Sequence, residues 1–150
     1  MCYTNSIKNK LQNKLWRQKM GLGIFTTKVI NTEMVDGRVR TTTEQVFNFH
    51  GCSEIADYLI WTYPDNGNIY TLTGEEFLKM KEKLEKRVKD TEADTELLFK
   101  DDTPEKVAER NKATVNRIQH DLNALNEFIK QENLVNEENL YEEYTLRLSY

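Results

Sequence analysis

The residue types best suited to metal chemistry in this chain are its two cysteines and two histidines. His50 and Cys52 are separated by one residue, and Cys2 and His120 could complete a set of four zinc ligands. Structural zinc sites usually contain two closely spaced ligand pairs, whereas this sequence contains one. We therefore interpret His50 as the end of a strand and Cys52 as a half-buried free thiol, and we expect no metal ion or cofactor.

Cys2 is the second candidate for chemistry, because removal of Met1 would make it an N-terminal nucleophile. The start Met1-Cys2 resembles that of the SOS-response-associated peptidases, which begin Met-Cys-Gly and use the processed cysteine on abasic DNA. The resemblance covers these two residues, and Tyr3-Thr4 stands where that family has Gly-Arg. It implies an activity that depends on whether Met1 is removed.

Adjacent acidic residues are frequent, but their spacing does not indicate catalysis. Paired catalytic carboxylates face each other across a cleft, and adjacency in the sequence does not provide that arrangement. The chain also contains no P-loop, Rossmann glycine pattern, nucleophile elbow or HExxH motif. The sequence therefore favours a protein that is not an enzyme. The acidic pairs are Glu75-Glu76, Asp101-Asp102, Glu137-Glu138 and Glu142-Glu143.

Residues 5–20 are predicted to form a basic amphipathic helix that ends at Gly21. Lys10, Lys14 and Arg17 could neutralise phosphates of a nucleic acid, and Trp16 could stack on a base. The alternatives are an ordinary surface helix packed on a sheet, and a membrane-surface helix that would need a second anchor such as lipidated Cys2. We rank the ordinary surface helix first and expect no membrane association.

Two segments rich in Thr, Val, Ile and Phe are predicted to form a β-hairpin. Residues 24–35 would pair with residues 38–49 around Asp36-Gly37, a dipeptide that suits a tight turn. Apolar residues alternate with polar ones at the C-terminus, which predicts a last strand that joins the same sheet. Between these segments, Ser53 is predicted to cap a short helix over residues 54–62, and residues 69–72 to form a short strand.

A pair of long helices is predicted from Thr73 to about Asn133. Thr73 and Glu76 form a capping box, and Thr103 followed by Pro104 marks the start of the second helix. Apolar residues then recur at spacings of three and four in both helices, which predicts a coiled-coil-like hairpin turning at Asp101-Asp102. The first stripe is Phe77, Met80, Leu84 and Val88, and the second is Val115, Ile118, Leu122, Leu125 and Ile129.

The far end of this predicted hairpin is the main candidate for binding a partner. Residues 89–96 are polar, so the first helix either breaks there or continues with loose packing, and we favour continuation. Leu97, Leu98 and Phe99 follow abruptly and need cover from Val107 or from another protein. A second copy could also complete the seam as a four-helix arrangement.

Composition suggests the kind of genome that encodes the protein, and net charge differs between the first third of the chain and the remainder. Asparagine and lysine number 14 each against five alanines, a bias typical of AT-rich coding as in many bacteriophages. Residues 1–50 carry eight basic and three acidic residues (+5), residues 51–100 seven and 11 (−4), and residues 101–150 six and 11 (−5). A basic first third beside an acidic remainder can mark a nucleic-acid contact.

These observations predict one α+β domain with a small antiparallel sheet, an N-terminal helix and a long antiparallel helical hairpin. Residues 1–72 would hold the basic helix, the β-hairpin and the short helix, residues 73–133 the helical hairpin, and residues 134–150 the returning strand. We expect a non-catalytic, phage-encoded protein that occupies a surface of a host defence protein or complex. The alternatives are a virion structural or assembly component and a nucleic-acid-binding accessory protein. Either the host cytoplasm or the virion is the expected location.

Overall fold

A long antiparallel β-hairpin begins the part of the chain that the structure describes. The computed structural model describes residues 22–64 and 66–149, and the helix predicted for residues 5–20 lies outside this range. Strand β1 (Gly23–Val35) pairs with strand β2 (Arg38–Asn48). The connecting residues Asp36 and Gly37 have φ values of 51° and 75°, as a two-residue hairpin turn requires. The predicted hairpin is confirmed.

Two further strands complete a four-stranded antiparallel sheet. Strand β3 (Ile69–Thr73) and strand β4 (Glu143–Ser149) pair with each other, and β4 also pairs with β1, so that the order is β2-β1-β4-β3. Buried and exposed residues alternate strictly along β4, because successive side chains point to opposite faces of a sheet. The expected return of the C-terminal strand to the first hairpin is confirmed.

Three helices accompany the sheet in the part of the chain that the structure describes, so the protein is α+β. Helix α1 spans Ser53–Thr62, helix α2 spans Gly74–Ala93 and helix α3 spans Pro104–Gln131. A short 3₁₀ helix, Glu137–Asn139, leads from α3 towards β4. No helix among the described residues is long and apolar enough to cross a membrane.

The predicted starts of α2 and α3 are confirmed in detail. The Glu76 amide donates to the Thr73 hydroxyl at 3.3 Å, and the Glu76 carboxylate accepts from the Thr73 amide at 3.1 Å. These two bonds are the reciprocal pair of a capping box. Thr103 caps α3 in the same way, with the Lys106 amide donating to its hydroxyl at 3.2 Å, and Pro104 opens the helix.

Helices α2 and α3 lie side by side with their directions opposed. Phe77 near the start of α2 contacts Phe128 near the end of α3, with ring centroids 4.7 Å apart. At the other end, the Asn111 side-chain amide donates to the Asp94 carbonyl oxygen at 2.8 Å. The buried members of both stripes face this contact: Phe77, Met80, Leu84, Ile118, Leu122, Leu125 and Ile129.

Helix α2 ends at Ala93, so the favoured continuation of the helix through residues 89–96 is wrong. From residue 94 to residue 103 the chain has no helix or strand. Apart from Ala93, residues 89–96 offer no apolar side chain that could pack on α3. Burial of an apolar stripe provides most of the stability of a protein helix, so α2 stops where its stripe stops. The connection is therefore longer than the predicted turn at Asp101-Asp102.

The start of α1 also differs from its prediction. Ser53 was expected to be the cap, but it is the first helical residue, and Cys52 before it makes no side-chain capping bond. Instead Asp121, which lies on α3, accepts a hydrogen bond from the Ile55 amide at 2.9 Å. A carboxylate from another element therefore satisfies a free amide at the helix start. This contact ties α1 to α3.

Candidate partner-binding surface

Residues 94–103 form what we call the distal connection, at the end of α2 and α3 remote from the aromatic core. Its first residues are held by Asp94, whose carboxylate accepts from the Glu96 amide at 2.9 Å. The Asp94 carbonyl oxygen accepts from Asn111 on α3 at 2.8 Å. These contacts satisfy backbone groups that the end of α2 leaves free. The segment is therefore attached to α3 as it leaves α2.

Asp102 organises the other half of the distal connection. Its Oδ2 accepts from the Leu98 and Phe99 amides, each at 2.8 Å. The Arg110 guanidinium donates to both carboxylate oxygens, at 2.7 and 3.0 Å. The Arg110 hydrogen bonds, followed by those from the backbone amides, lower the pKa of Asp102 to about 2. The carboxylate therefore stays ionised and bonded at any pH well above this value.

This arrangement leaves Leu97, Leu98 and Phe99, which we call the apolar triplet, largely exposed. Their exposed fractions are 54%, 61% and 62%. Val107 was considered as their local cover, and it is itself buried at 3% exposure. The Arg110 guanidinium lies 5.2 Å from the centre of the Phe99 ring, within range of a cation–π contact. Local packing thus covers only part of these three side chains.

A cleft of about 570 Å³ lies beside the triplet between the ends of α2 and α3. We call it the distal cleft. Leu97, Val107 and Val115 contribute apolar surface to it, while Glu92 and Lys112 add charge. Its size falls within the range of pockets that bind ligands or buried side chains. The remaining lining residues are Asp94, Thr95, Pro104, Ala108 and Asn111.

Loss of the Asp102 carboxylate is expected to loosen the triplet without unfolding the protein. In Asp102→Ala the Leu98 and Phe99 amides lose their acceptor, so hydrogen exchange at these amides should become faster. The free energy of unfolding should change little because the segment is exposed. Asp101→Ala is the matched control, since the Asp101 side chain is 88% exposed against 4% for Asp102. Unchanged exchange in Asp102→Ala would contradict the role assigned to this carboxylate.

A second cleft, of about 810 Å³, lies between α1 and the middle of α2 and α3. Tyr58 and Trp61 contribute aromatic surface to it. Three of its charged residues are engaged with one another: Glu54 accepts from Arg87 at 2.9 Å and from Arg117 at 3.5 Å. Such pairing stabilises the junction of the three helices, whereas the distal cleft ends in apolar side chains without equivalent cover. We therefore select the distal cleft as the candidate site.

The residues considered for zinc binding are only partly brought together. Cys2 lies outside the described residues, and His50 is exposed on the surface. Cys52 is fully buried rather than half-buried, and its ligand atom lies within 4.8 Å of those of His120 and Asp121. No pattern in the amino-acid sequence indicated that His120 would lie there. Burial, followed by the charge of the Asp121 carboxylate, raises the pKa of the Cys52 thiol.

These three donor types could hold a transition metal, but the carboxylate already has a structural partner. Asp121 is 1% exposed and accepts from the Ile55 amide. Burial, opposed by this bond, raises the pKa of Asp121 to about 6. The arrangement is accounted for as a helix cap beside a buried thiol, and we assign it to the fold rather than to a metal site.

The residues proposed for nucleic-acid contact, Lys10, Lys14, Trp16 and Arg17, all lie outside the described residues. Their proposed role stays a prediction. The contacts that sequence reasoning missed are those of Asp102 with Arg110 and of Asp121 with α1. Asp102 and Arg110 lie on either side of the Thr103 cap, and this spacing could have indicated that they form an ion pair. No local signal links Asp121 to a helix 66 residues earlier in the chain.

Comparisons with known proteins give no relative from which a function could be transferred. No protein-family model and no curated protein matches the chain. No solved structure matches it either.

Proposed function

We propose that this protein is a non-catalytic binding module that occupies a surface of another protein through the apolar triplet and the distal cleft. One observation carries the proposal. Leu97, Leu98 and Phe99 remain more than half exposed although Asp102, Arg110 and Asn111 hold the surrounding backbone in place. Exposed large apolar side chains next to a cleft are typical of interaction sites.

The charge around the triplet favours a particular kind of partner. Residues 89–112 contain eight acidic and five basic residues, a net charge of −3. An apolar contact surrounded by net negative charge is complementary to a hydrophobic pocket or ridge with a basic border. A basic nucleic-acid-binding groove on a host defence complex has this chemistry. We therefore propose a phage-encoded inhibitor that acts in the host cytoplasm on such a complex.

The proposal includes a coiled-coil-like hairpin as the support of the binding end. The seven buried stripe residues of α2 and α3 favour it, because seam residues at spacings of three and four would hold two helices nearly parallel. A stiff support would carry the triplet away from the sheet. Stiffness lowers the entropy cost of presenting the site to a partner.

Single charge insertions in the triplet are expected to abolish partner capture. Tagged wild-type protein, Leu98→Asp and Phe99→Asp would be compared in pull-downs from an extract of the natural host, with bound proteins identified by mass spectrometry. An aspartate at either position would place an unpaired carboxylate in an apolar interface, which binds poorly. We expect at least one partner of the wild type to be lost from both variants.

The matched control is Val135→Asp, because Val135 is also an exposed apolar residue, at 77%, but lies outside the distal connection. This variant should retain the partner. Equal thermal stability of the three variants would show that loss of capture is not loss of folding. Retention of every partner by both triplet variants would overturn the proposal.

Two alternative functions would depend on other parts of the chain. As a virion component, the protein would use α2 and α3 to pack against neighbouring copies, and light scattering would show large assemblies. As a nucleic-acid-binding accessory protein it would depend on Lys10, Lys14 and Arg17. Reversal of these three charges would then weaken retention on nucleic acid, particularly at low salt. The exposed triplet favours the inhibitor over both alternatives.

A further inference from the structure

Strand β2 ends the sheet with a long open edge. In the described part of the chain it has β1 on one side and no strand on the other, and its 11 residues contrast with the five of β3 at the opposite edge. Proteins usually shorten, cover or charge such edges because their free N–H and C=O groups can pair with another strand. Among the described residues, β2 is the longer edge strand and therefore offers the longer segment for such pairing.

Most of β2 lies beyond the four-stranded part of the sheet. Strand β4 pairs with β1 only from Gly23 to Lys28, so residues 29–35 of β1 pair with β2 alone. Every residue from 29 to 45 is exposed, including Val29, Met34 and Val39 at 51%, 67% and 66%. A two-stranded ribbon without cover is marginally stable in water. The ribbon would therefore gain stability from a further strand.

The register shows which backbone groups are available for such a strand. Val35 and Arg38 flank the two-residue turn, so they form a hydrogen-bonded pair, and such pairs alternate along the ribbon. The register shifts once between Val29 and Asn31, but the extra residue there belongs to β1, so the alternation along β2 continues to Gln45. Arg38, Arg40 and Thr42 consequently direct their backbone groups towards β1. Those of Val39, Thr41, Thr43 and Gln45 point outward. The open stretch ends at Val46, whose carbonyl oxygen accepts from the Gln131 side chain of α3 at 2.7 Å.

We propose that β2 pairs antiparallel with β2 of a second copy of this chain, about a twofold axis at Thr42. The two copies then form one continuous eight-stranded sheet. In this register Thr41 hydrogen-bonds with Thr43 of the other copy, and Val39 with Gln45. An interface of this kind is isologous, because the same edge is used on both sides.

The charges along β2 are self-complementary in this register, which favours a second copy of the chain as the occupant. Pairing about Thr42 places Arg40 directly opposite Glu44, and the symmetry produces this opposite-charge pair twice. Arg40 and Glu44 then belong to non-hydrogen-bonded pairs, where facing side chains are closest. Glu33 on β1 faces Arg40 within each copy, which extends the alternation of charge across the strands.

Neighbouring registers fit less well. A twofold axis at Thr41 would bring Gln45 opposite Gly37 in the turn and lose that pair of backbone bonds. An axis at Arg40 would place the two copies' Arg40 side chains opposite each other. Like charges in facing positions destabilise a sheet. Thr42 is the central position that uses the whole open stretch and joins opposite charges.

The test reverses or exchanges the charges of Arg40 and Glu44. Dimerisation is measured by sedimentation equilibrium over a range of protein concentrations. The wild type should form a dimer that dissociates on dilution. Arg40→Glu and Glu44→Arg each create two facing like-charge pairs, so each should raise the dimer dissociation constant about tenfold or more. The double variant Arg40→Glu/Glu44→Arg restores opposite charges between copies and should dimerise more tightly than either single variant. Recovery should be partial, because the two changes place like charges opposite Glu33 and Lys28 within each copy. Both positions are exposed, and circular dichroism would verify folding of each variant.

Three results would overturn the inference. The wild type could remain monomeric at millimolar concentration, or the double variant could dimerise no better than the single ones. A dimer that survives both single charge reversals but is lost in Leu98→Asp would place the interface at the distal connection instead. Because Leu98 is remote from β2, failure of the dimer and failure of the proposed partner site are distinguishable.

A cysteine cross-link tests the register independently. In a Cys2→Ser background, Thr42→Cys places two thiols opposite each other at the axis, within the usual separation for a disulfide. Mild oxidation should produce a covalent dimer rapidly. Thr41→Cys, whose opposite residue would be Thr43, should cross-link more slowly. Faster cross-linking of Thr41→Cys would contradict the axis at Thr42.

Discussion

Phe128→Ala is expected to lower the free energy of unfolding by about 3–5 kcal/mol. Phe128 is fully buried and lies at the centre of an aromatic cluster. Its ring centroid is 4.7 Å from that of Phe77, 5.2 Å from Tyr144 and 5.4 Å from Phe49. These rings belong to α2, to β4 and to the residue that follows β2, so alanine would leave a cavity where helices and sheet meet. Chemical denaturation monitored by circular dichroism would measure the loss.

Phe99→Ala is the matched control, because it removes the same side chain from a position that is 62% exposed. We expect it to change the free energy of unfolding by less than about 1 kcal/mol, mainly through the lost contact with Arg110. A loss as large as that of Phe128→Ala would mean that Phe99 belongs to the core. A small loss would agree with the proposed partner-binding role of this phenylalanine.

Asp121 is expected to make the protein less stable as the pH rises from about 4 to about 6. Burial raises the pKa of Asp121 from its ordinary value of 3.8 to about 6. Between these values the native protein keeps a proton that the unfolded chain has released, so stability falls with increasing pH. The full change amounts to about 3 kcal/mol, since each pKa unit corresponds to about 1.4 kcal/mol. Below pH 4 this contribution should be fully present.

The test compares the pH dependence of unfolding in the wild type with that in Asp121→Asn. Asparagine keeps an oxygen that accepts from the Ile55 amide but does not titrate. The stability of Asp121→Asn relative to the wild type should therefore rise from pH 4 to pH 7. Asp121→Ala also lacks the titration, yet it should be about 1–3 kcal/mol less stable than Asp121→Asn, because the buried amide loses its acceptor. A difference between wild type and Asp121→Asn that does not vary with pH would contradict this account.

The candidate site was partly predictable. The abrupt apolar run at Leu97, Leu98 and Phe99 after a polar stretch marked the segment, because its composition contrasts with both neighbours. Its conformation was not predictable, since the end of α2 at Ala93 depends on whether the side chains beyond it find apolar partners on α3. The roles of Asp102 and Arg110 also depended on the path that the connection takes between the helices.

Features that arise from neighbouring residues were predictable from the amino-acid sequence alone. The Asp36-Gly37 turn, the capping box at Thr73 and the Thr103-Pro104 helix start depend on backbone preferences and on bonds spanning three residues, so short segments encode them. The first two strands followed from segments rich in Thr, Val, Ile and Phe, and the last strand from alternation of apolar and polar residues, which are also local patterns. These features together established the α+β class.

Contacts between residues far apart in the sequence became evident only from the tertiary structure. Asp121 reaches α1 across 66 residues, and Gln131 closes the edge of β2 at Val46 from 85 residues away. Such contacts depend on how whole helices pack on the sheet, and no short-range pattern records that packing. The same physical reason explains why the end of α2 was wrongly predicted, whereas its start was confirmed: a cap is local, but the cover of a helix's apolar face is not.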